Sequence, residues 1–353
     1  MNDAIVAGKK PHLITMEKKG DALMWCACGR SARQPYCDGS HKGTAFSPVR
    51  VIASRDNEEA LLCLCKKTKT PPYCDGSHNG LGAQYGAEAD DRSIDWPRAE
   101  TASRSDGKFG RARLDGGCYV LTPDLERNAR LDDWRILATI GRSDGADKLS
   151  QWLLLPSGEK TNSIGFGAAE TILFVADGDV EIDISGAAFG APRYSAIAVR
   201  PGESFSIRSG GAGARLIATV CPPEPVNRQD RPTPFENRYP SRIASVDESA
   251  RQSMGDRFFQ VLSSPDRGSS EITQFIGMIP RSRSAPHRHL YEETLYVLSG
   301  EGFMWTETRR APVAPGDIIY LPRKQLHSLE CVSPAGMLLA GSFYPAGSPA
   351  INY

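Results

Sequence analysis

The chain has 353 residues, with Lys plus Arg at 42 and Asp plus Glu at 42, so its formal net charge is zero. That balance argues against nucleic acid as the main partner, and a hydrophobic content of 40 % suits a globular protein with sizeable cores in two or three domains. No apolar run approaches the roughly eighteen residues of a membrane span, and the polar stretch 1–12 lacks a signal peptide's apolar segment, so no membrane partner is expected.

A sixteen-residue pattern occurs twice near the N-terminus, each position offset by 37 residues without insertion or deletion. The first copy carries Cys26, Cys28, Ser31, Pro35, Cys37, Asp38, Gly39, Ser40 and His41; the second carries Cys63, Cys65, Thr68, Pro72, Cys74, Asp75, Gly76, Ser77 and His78. Three thiols and one imidazole per copy are enough to close one metal site, and soft thiolates select zinc or iron–sulfur over magnesium or calcium. Asp-Gly between the last Cys and the His is turn chemistry that lets both converge. The spacing alone leaves zinc and iron–sulfur open, although paired zinc knuckles usually place two or more residues between their ligands. Short β-type runs at 22–25 and 60–64 lead into the first cysteines of each copy.

Residues 81–112 are rich in Gly, Asp, Arg and Ser and read as a linker. From about 113 short β-rich runs recur between Gly, Pro and Asp, at 152–155, 171–175, 180–184 and 196–199. Six prolines within 221–240 exclude a regular helix or central strand there and suggest a bridge between two halves. Runs resume at 258–262, 272–279, 294–298, 302–306, 318–321 and 337–343. Many short strands with little helical periodicity predict a barrel or sandwich.

The chain has six histidines; two lie in the repeats, three are His287, His289 and His327, and only His12 is left over. Strand alternation turns His287 and His289 to one face, where Glu293 and, from another strand, His327 can join them. Three His and one Glu leave open positions on an octahedral ion; Fe, Mn, Co, Ni, Cu and Zn all fit such a set. Arg281, Arg283 and Arg288 lie beside these ligands and could bind a carboxylate, although solvated surface is the plainer reading. Tyr296, Trp305 and Tyr320 could contact an aromatic ligand, against a simpler role in the core. Cys118, Cys221 and Cys331 are scattered and read as buried small hydrophobes, not a disulfide framework, which points to a reducing cytoplasm.

The tandem pattern C-x-C-x2-S/T-x3-P-x-C-D-G-S-H resembles the CDGSH (mitoNEET-like) iron–sulfur family at every defining position. The resemblance implies two 2Fe–2S clusters, one held by Cys26, Cys28, Cys37 and His41, the other by Cys63, Cys65, Cys74 and His78. It also implies that the tandem chain can build within one molecule what single-motif relatives build as a dimer. The C-terminal region resembles the cupin superfamily: His287, His289, Glu293 and Gly300 match its first motif, and Pro315, Gly316, Asp317, Pro322 and His327 its second. Arg281 stands where that family has a glycine. The segment 171–178 parallels 293–300, and Pro201-Gly202-Glu203 parallels Pro315-Gly316-Asp317, so the preceding half is similar to a cupin too. That alignment places Gly165 and Gly167 at the two His positions and Thr171 at that of Glu293; with no His between 79 and 286, this half cannot form a His-based site.

The expected fold is therefore mainly β: a tandem CDGSH module at 1–80, a linker at 81–112, a degenerate metal-free cupin at 113–225 and a metal-binding cupin at 226–353. The resemblances together imply one divalent transition metal in the C-terminal cupin, iron first and Mn, Zn or Ni as alternatives. They suggest an iron-dependent dioxygenase of a small organic molecule, with the clusters supplying electrons. A redox or iron–sulfur sensor with a ligand-binding cupin, and a Mn or Zn isomerase or lyase, are the competing readings. Expected partners are a small-molecule substrate or ligand and a redox partner, with homo-oligomerisation open.

Overall fold

The computed structural model describes residues 3–81, 96, 98–104, 110–229, 231–254 and 256–353. The chain divides into two units: Met1–Asp90 together with Ser348–Tyr353, and Asp91–Gly347. Strands dominate both, and the described helices are short 3-10 turns.

The first unit is two copies of one hairpin-like element that exchange strands. His12–Met16, which precedes the first repeat, pairs antiparallel with Glu58–Leu62 of the second. Val49–Ile52, its counterpart 37 residues on, pairs with Ala22–Trp25 of the first. The two strands of each copy do not pair with each other; exchange gives each one a partner in the other copy, in two two-stranded sheets. Ile14, Met16, Trp25, Val51, Ala60 and Leu62 form the shared core. The indole N–H of Trp25 donates to Cys63 O at 2.9 Å, which ties one ligand loop to the other copy.

The second unit contains two double-sheet halves of matching topology. One half has a seven-stranded sheet that includes Glu170–Asp177 between Ala196–Val199 and Arg215–Cys221. The other has an eight-stranded sheet with Glu292–Ser299 between Ile318–Leu321 and Met337–Tyr344. Smaller sheets of five and four strands complete them. The sequence runs at 180–184, 196–199 and 318–321 are strands over the same bounds.

Exchange recurs between these halves. Tyr119–Thr122 joins the sheet of the C-terminal half through Ile318–Leu321, and Ile243–Ala244 joins that of the other half through Ala196–Val199. Of the stretch read as a linker, 82–95, 97 and 105–109 lie outside the described residues, while Glu100–Thr101 and Gly110–Arg113 are strands of the C-terminal half's sheets. One core spans both halves, with Leu137, Ile172, Phe174 and Ile217 from one side and Ile276, Tyr296, Ile318 and Tyr320 from the other.

Two buried glutamates lock this arrangement. Glu170 accepts bonds from the Ser269 and Ser270 hydroxyls and from the N–H groups of Ser270, Glu271 and Ile272, at 2.7–3.1 Å. Glu292, at the matching strand position, accepts from the N–H groups of Asp147 and Lys148 and from the Tyr320 hydroxyl. Each carboxylate thus satisfies the loop that enters the other half. Glu170→Ala strands several buried donors, and a loss of roughly 3 kcal/mol is expected; equilibrium denaturation of the full chain measures it, and an unchanged midpoint would refute the assignment.

Candidate metal centres

The two repeats place their ligands alike. Cys26 and Cys28 approach at 3.6 Å between sulfurs, and Cys63 and Cys65 at 3.4 Å. Nδ1 of His41 stands 3.2 Å from Cys37 Sγ, and Nδ1 of His78 3.3 Å from Cys74 Sγ. Each repeat therefore sets its four expected ligands in two close pairs, one Cys–Cys and one Cys–His. Backbone N–H groups address the sulfurs: Arg30 to Cys28 at 3.4 Å, Lys66 to Cys63 at 3.2 Å and Lys67 to Cys65 at 3.4 Å. Gln34 Nε2 donates to Cys26 Sγ at 3.3 Å. These donors offset negative charge, and the Cys65 thiol bond holds Cys63 down to about 6 while Cys65 itself is pushed up. Burial pushes Cys74 up to about 11, so a bound cation is needed to make it a thiolate.

The Asp of each Asp-Gly turn joins the two ends of its ligand loop. Asp38 accepts from Ala32 N and Ser40 N, and Asp75 from Lys69 N and Ser77 N, at 2.8–3.0 Å. Ser31 and Thr68 hydroxyls donate to the Tyr36 and Tyr73 carbonyls at 2.6 Å. The Ser/Thr position therefore braces the loop. Gly39 and Gly76 have φ of 94° and 88°, where only glycine is unstrained. Burial raises the Asp75 carboxyl, but the bonds from Lys69 and Ser77 outweigh it and hold it below its ordinary value. Its contribution is thus present above the unfolded value of about 3.9 and lost as pH falls through the folded one. Asp75→Ala should melt at lower temperature at neutral pH, and its melting point should fall less steeply with acid than the parent's.

In the second unit the main chains of His287 and His327 exchange N–H···O bonds of 3.1 Å in both directions. Opposed in this way, their side chains share a face, and their rings lie 4.3 Å apart. His289, Glu293 and His327 are buried, and their ligand atoms all lie within 4.8 Å of one another. His287 borders this group. All three imidazoles are oriented in one way: Nδ1 of His287, His289 and His327 meets the carbonyls of Ala285, Tyr291 and Gln325 at 2.8, 3.0 and 2.9 Å. Each Nδ1–H is thereby engaged and each Nε2 presents a lone pair.

The donor set fits a cation. His289 Nε2 lies 3.0 Å from Glu293 Oε2 yet makes no hydrogen bond. With Nδ1 protonated, both facing atoms are acceptors, and only a shared cation or proton reconciles them. Burial, then the neighbouring His287 and His289, keep His327 well below its ordinary value, hence neutral and ligand-competent.

One residue here was missed by sequence reasoning. The Tyr291 ring stacks on His289 at 4.0 Å and on Phe343 at 4.0 Å. Its place between two expected ligands, His289 and Glu293, is the signal. Arg283, in contrast, sits with its guanidinium 4.2 Å from Trp305 and 5.2 Å from Trp96, and its Nε donates to Ser328 Oγ. That is the face opposite His327, so it does not reach the metal group; Arg281 is exposed. Tyr296, Trp305 and Tyr320 are buried, with polar atoms bound to Arg215, Glu330 and Glu292. Burial raises the thiols of Cys118 and Cys331, and Cys221 to about 12, in keeping with inert packing.

The degenerate half fills the matching space with hydrocarbon. The bridge comparable to His287–His327 pairs Ile164 with Phe205, one residue before the Gly165 suggested by alignment. Ile164, Phe166 and Phe205 then pack with Trp134 and Leu173. Thr171 does match Glu293, because Glu170–Asp177 and Glu292–Ser299 occupy equivalent places in their sheets.

Fold and ligand geometry define a β-sheet metalloprotein with a duplicated thiol–imidazole module and a buried His/Glu centre. Residues 4–42 match the family described as iron-binding zinc finger, CDGSH type, and residues 274–341 match the cupin domain family. The chain is a fusion of a CDGSH iron–sulfur domain with a cupin. The CDGSH iron-sulfur domain-containing protein 3, mitochondrial, of Homo sapiens is 44 % identical over 52 residues, 14 % of this chain and 40 % of that protein. Quercetin 2,3-dioxygenase of Bacillus subtilis (strain 168) is 28 % identical over 104 residues, 28 % of this chain and 31 % of the enzyme. This chain thus spans well under half the length of either relative. Among solved structures, protein Ylba from E. coli aligns with a TM-score of 0.50 and 17 % identity, covering 67 % of this chain and 95 % of that one. Procruciferin, an 11S globulin from Brassica napus, aligns with a TM-score of 0.52 and 11 % identity, covering 65 % and 84 %. A likeness of this kind extends to a globulin and shows the fold alone, so the site must carry the function. No described helix is long and apolar enough to cross a membrane.

Tyr291→Ala should lower metal affinity of the cupin centre by about tenfold through lost orientation of His289, whereas Tyr291→Phe should keep it; competitive metal titration reads the difference.

Proposed function

We propose that this protein is an iron-dependent cupin dioxygenase acting on a small organic molecule, with two 2Fe–2S clusters in the N-terminal unit supplying electrons. The observation that carries this reading is the convergence of His289, Glu293 and His327. Two histidines and one carboxylate with open positions are the donor set of non-haem Fe(II) oxygenases. The similarity to quercetin 2,3-dioxygenase supports the same class. The pairing of ligands in each repeat supports a binuclear cluster, one pair per metal, over a single four-coordinate ion. A hydrolase or isomerase has no use for an electron source, while an iron oxygenase needs its metal kept ferrous.

Iron at the cupin centre supplies one-electron chemistry toward O₂ that no side chain offers. The protein's own residues do the rest. The carbonyls of Ala285, Tyr291 and Gln325 fix the imidazole tautomers, and Tyr291 holds the plane of His289. The buried setting of Glu293 and His327 excludes bulk water. A small organic substrate and an external redox donor are the partners this reading requires, and a reducing cytoplasm suits nine free cysteines.

The test separates the two ends. Cys37→Ser with Cys74→Ser should leave cupin iron in place but slow O₂ uptake or reactivation after oxidation. His287→Ala should keep the visible absorption of both clusters and impair substrate-dependent O₂ uptake. Equal turnover and reactivation by the cluster-free variant, with its cupin iron intact, would end the electron-supply reading. Zinc or manganese as the cupin metal in active protein would end the oxygenase reading.

A further inference from the structure

The two repeats are matched in sequence, in main-chain bonding and in ligand spacing. Cys26 N donates to Pro35 O at 2.8 Å and Cys63 N to Pro72 O at 2.9 Å; Cys37 N donates to Met24 O at 2.8 Å and Cys74 N to Leu61 O at 2.9 Å. They differ in what covers them. Cys37 and His41 are partly exposed, whereas Cys74 and His78 are 7 % and 8 % exposed.

The cover is the segment Ser348–Tyr353, which belongs with the first unit. A Cβ built on Gly76 would come 2.6 Å from Ala350 Cβ, while one on the matching Gly39 would meet nothing within 4 Å. Asn79 Nδ2 donates to Ala350 O at 2.9 Å. The matching residue of the first repeat, 37 positions earlier, is the exposed Lys42, which breaks the otherwise close duplication at the residue that binds the segment. His78 Nε2–H donates to Asn352 Oδ1 at 3.4 Å. That bond leaves Nδ1, the atom beside Cys74 Sγ, with its lone pair toward the ligand position. Among the described residues, His41 has no counterpart to Asn352.

We propose that residues 348–353 are a cap on the second thiol–imidazole site, with Asn352 as the positioning residue for His78, and that the cap makes the two centres inequivalent. The second site retains its metal, and the first, open to solvent, is the one that exchanges metal or cluster with external acceptors. The physical basis is access. A partner that orients a ligating imidazole and a shell that excludes solvent both slow ligand loss, and both occur at one site only. The inference rests on the reading that each repeat holds a metal centre, but not on which metal.

The experiment uses the full chain and a ferrous chelator in excess, with visible absorption and released iron followed in time. The parent protein should bleach in two phases of equal amplitude, the slow one about ten- to one-hundredfold slower. Cys37→Ser should remove the fast phase and Cys74→Ser the slow one. Asn352→Ala should move the slow phase toward the fast, and Asn352→Asp, which keeps an acceptor oxygen at the same reach, should restore it. A chain ending at Gly347 provides a second variant in case a single substitution is absorbed by its neighbours. Protein that carries zinc in place of clusters would overturn the iron–sulfur reading, and the cap would then be tested by zinc release to a colorimetric zinc chelator, where two phases are again expected and a single phase overturns it. A single phase in the parent, or a slow phase that survives both Asn352→Ala and the truncation, would overturn the cap.

Discussion

In both units of this protein, strands of one copy find their partner in the other copy. Edge strands expose a row of unsatisfied N–H and C=O groups, and pairing with the sister copy satisfies them without closing a barrel. In the first unit this ties His12–Met16 to the second repeat and Val49–Ile52 to the first. In the second unit it ties Tyr119–Thr122 to the C-terminal half and Ile243–Ala244 to the other. In the first unit the ligand loops leave directly from the strands that receive these partners, Ala22–Trp25 and Glu58–Leu62, so the metal geometry inherits the pairing. Cys26 follows Trp25 and Cys63 follows Leu62, and a register slip in either pair would turn the first cysteine away from its partners.

The cupin centre shows how much of a metal site lies in the groups that touch no metal. Three main-chain carbonyls each engage one Nδ1–H and thereby leave Nε2 to ligate, with His289 and His327 meeting Glu293 and His287 bordering them. An aromatic ring clamps one of those imidazoles. In the sister half the same backbone positions bear Ile164, Phe166 and Phe205, and the space is a hydrocarbon core. One scaffold thus supports a polar centre where cations can satisfy buried acceptors, and a dry core where nothing polar needs satisfying.

Duplication followed by divergence is a common thread of both units. The cupin halves keep Glu170 and Glu292 at the same strand position, because each satisfies donors on a loop of the other half, while the neighbouring Thr171 and Glu293 differ, because only one half keeps ligands. The repeats keep all eight ligands, yet Lys42 and Asn79 differ where one repeat meets residues 348–353. Positions that satisfy buried polar groups are held in register; positions that face function are free to part.

Much of this was legible in the residues themselves. Ligand chemistry and spacing singled out Cys26, Cys28, Cys37, His41 and their second set, as well as His287, His289, Glu293 and His327, because thiols and imidazoles at short fixed intervals have few other uses. Short alternating runs marked strands such as Val180–Ile184 and Ile318–Leu321, since local pattern sets strand formation. Pairing was not legible. Nothing local indicates that 12–16 skips its own repeat, that 119–122 completes a sheet two hundred residues away, or that 348–353 lies against Gly76. Those contacts follow from which edges are left unsatisfied once the strands have formed, a property of the assembled chain. The same holds for the one-residue difference between Gly165 and Ile164 and for the stacking of Tyr291: composition names the atoms that can bind a metal, but only tertiary pairing decides which face they share.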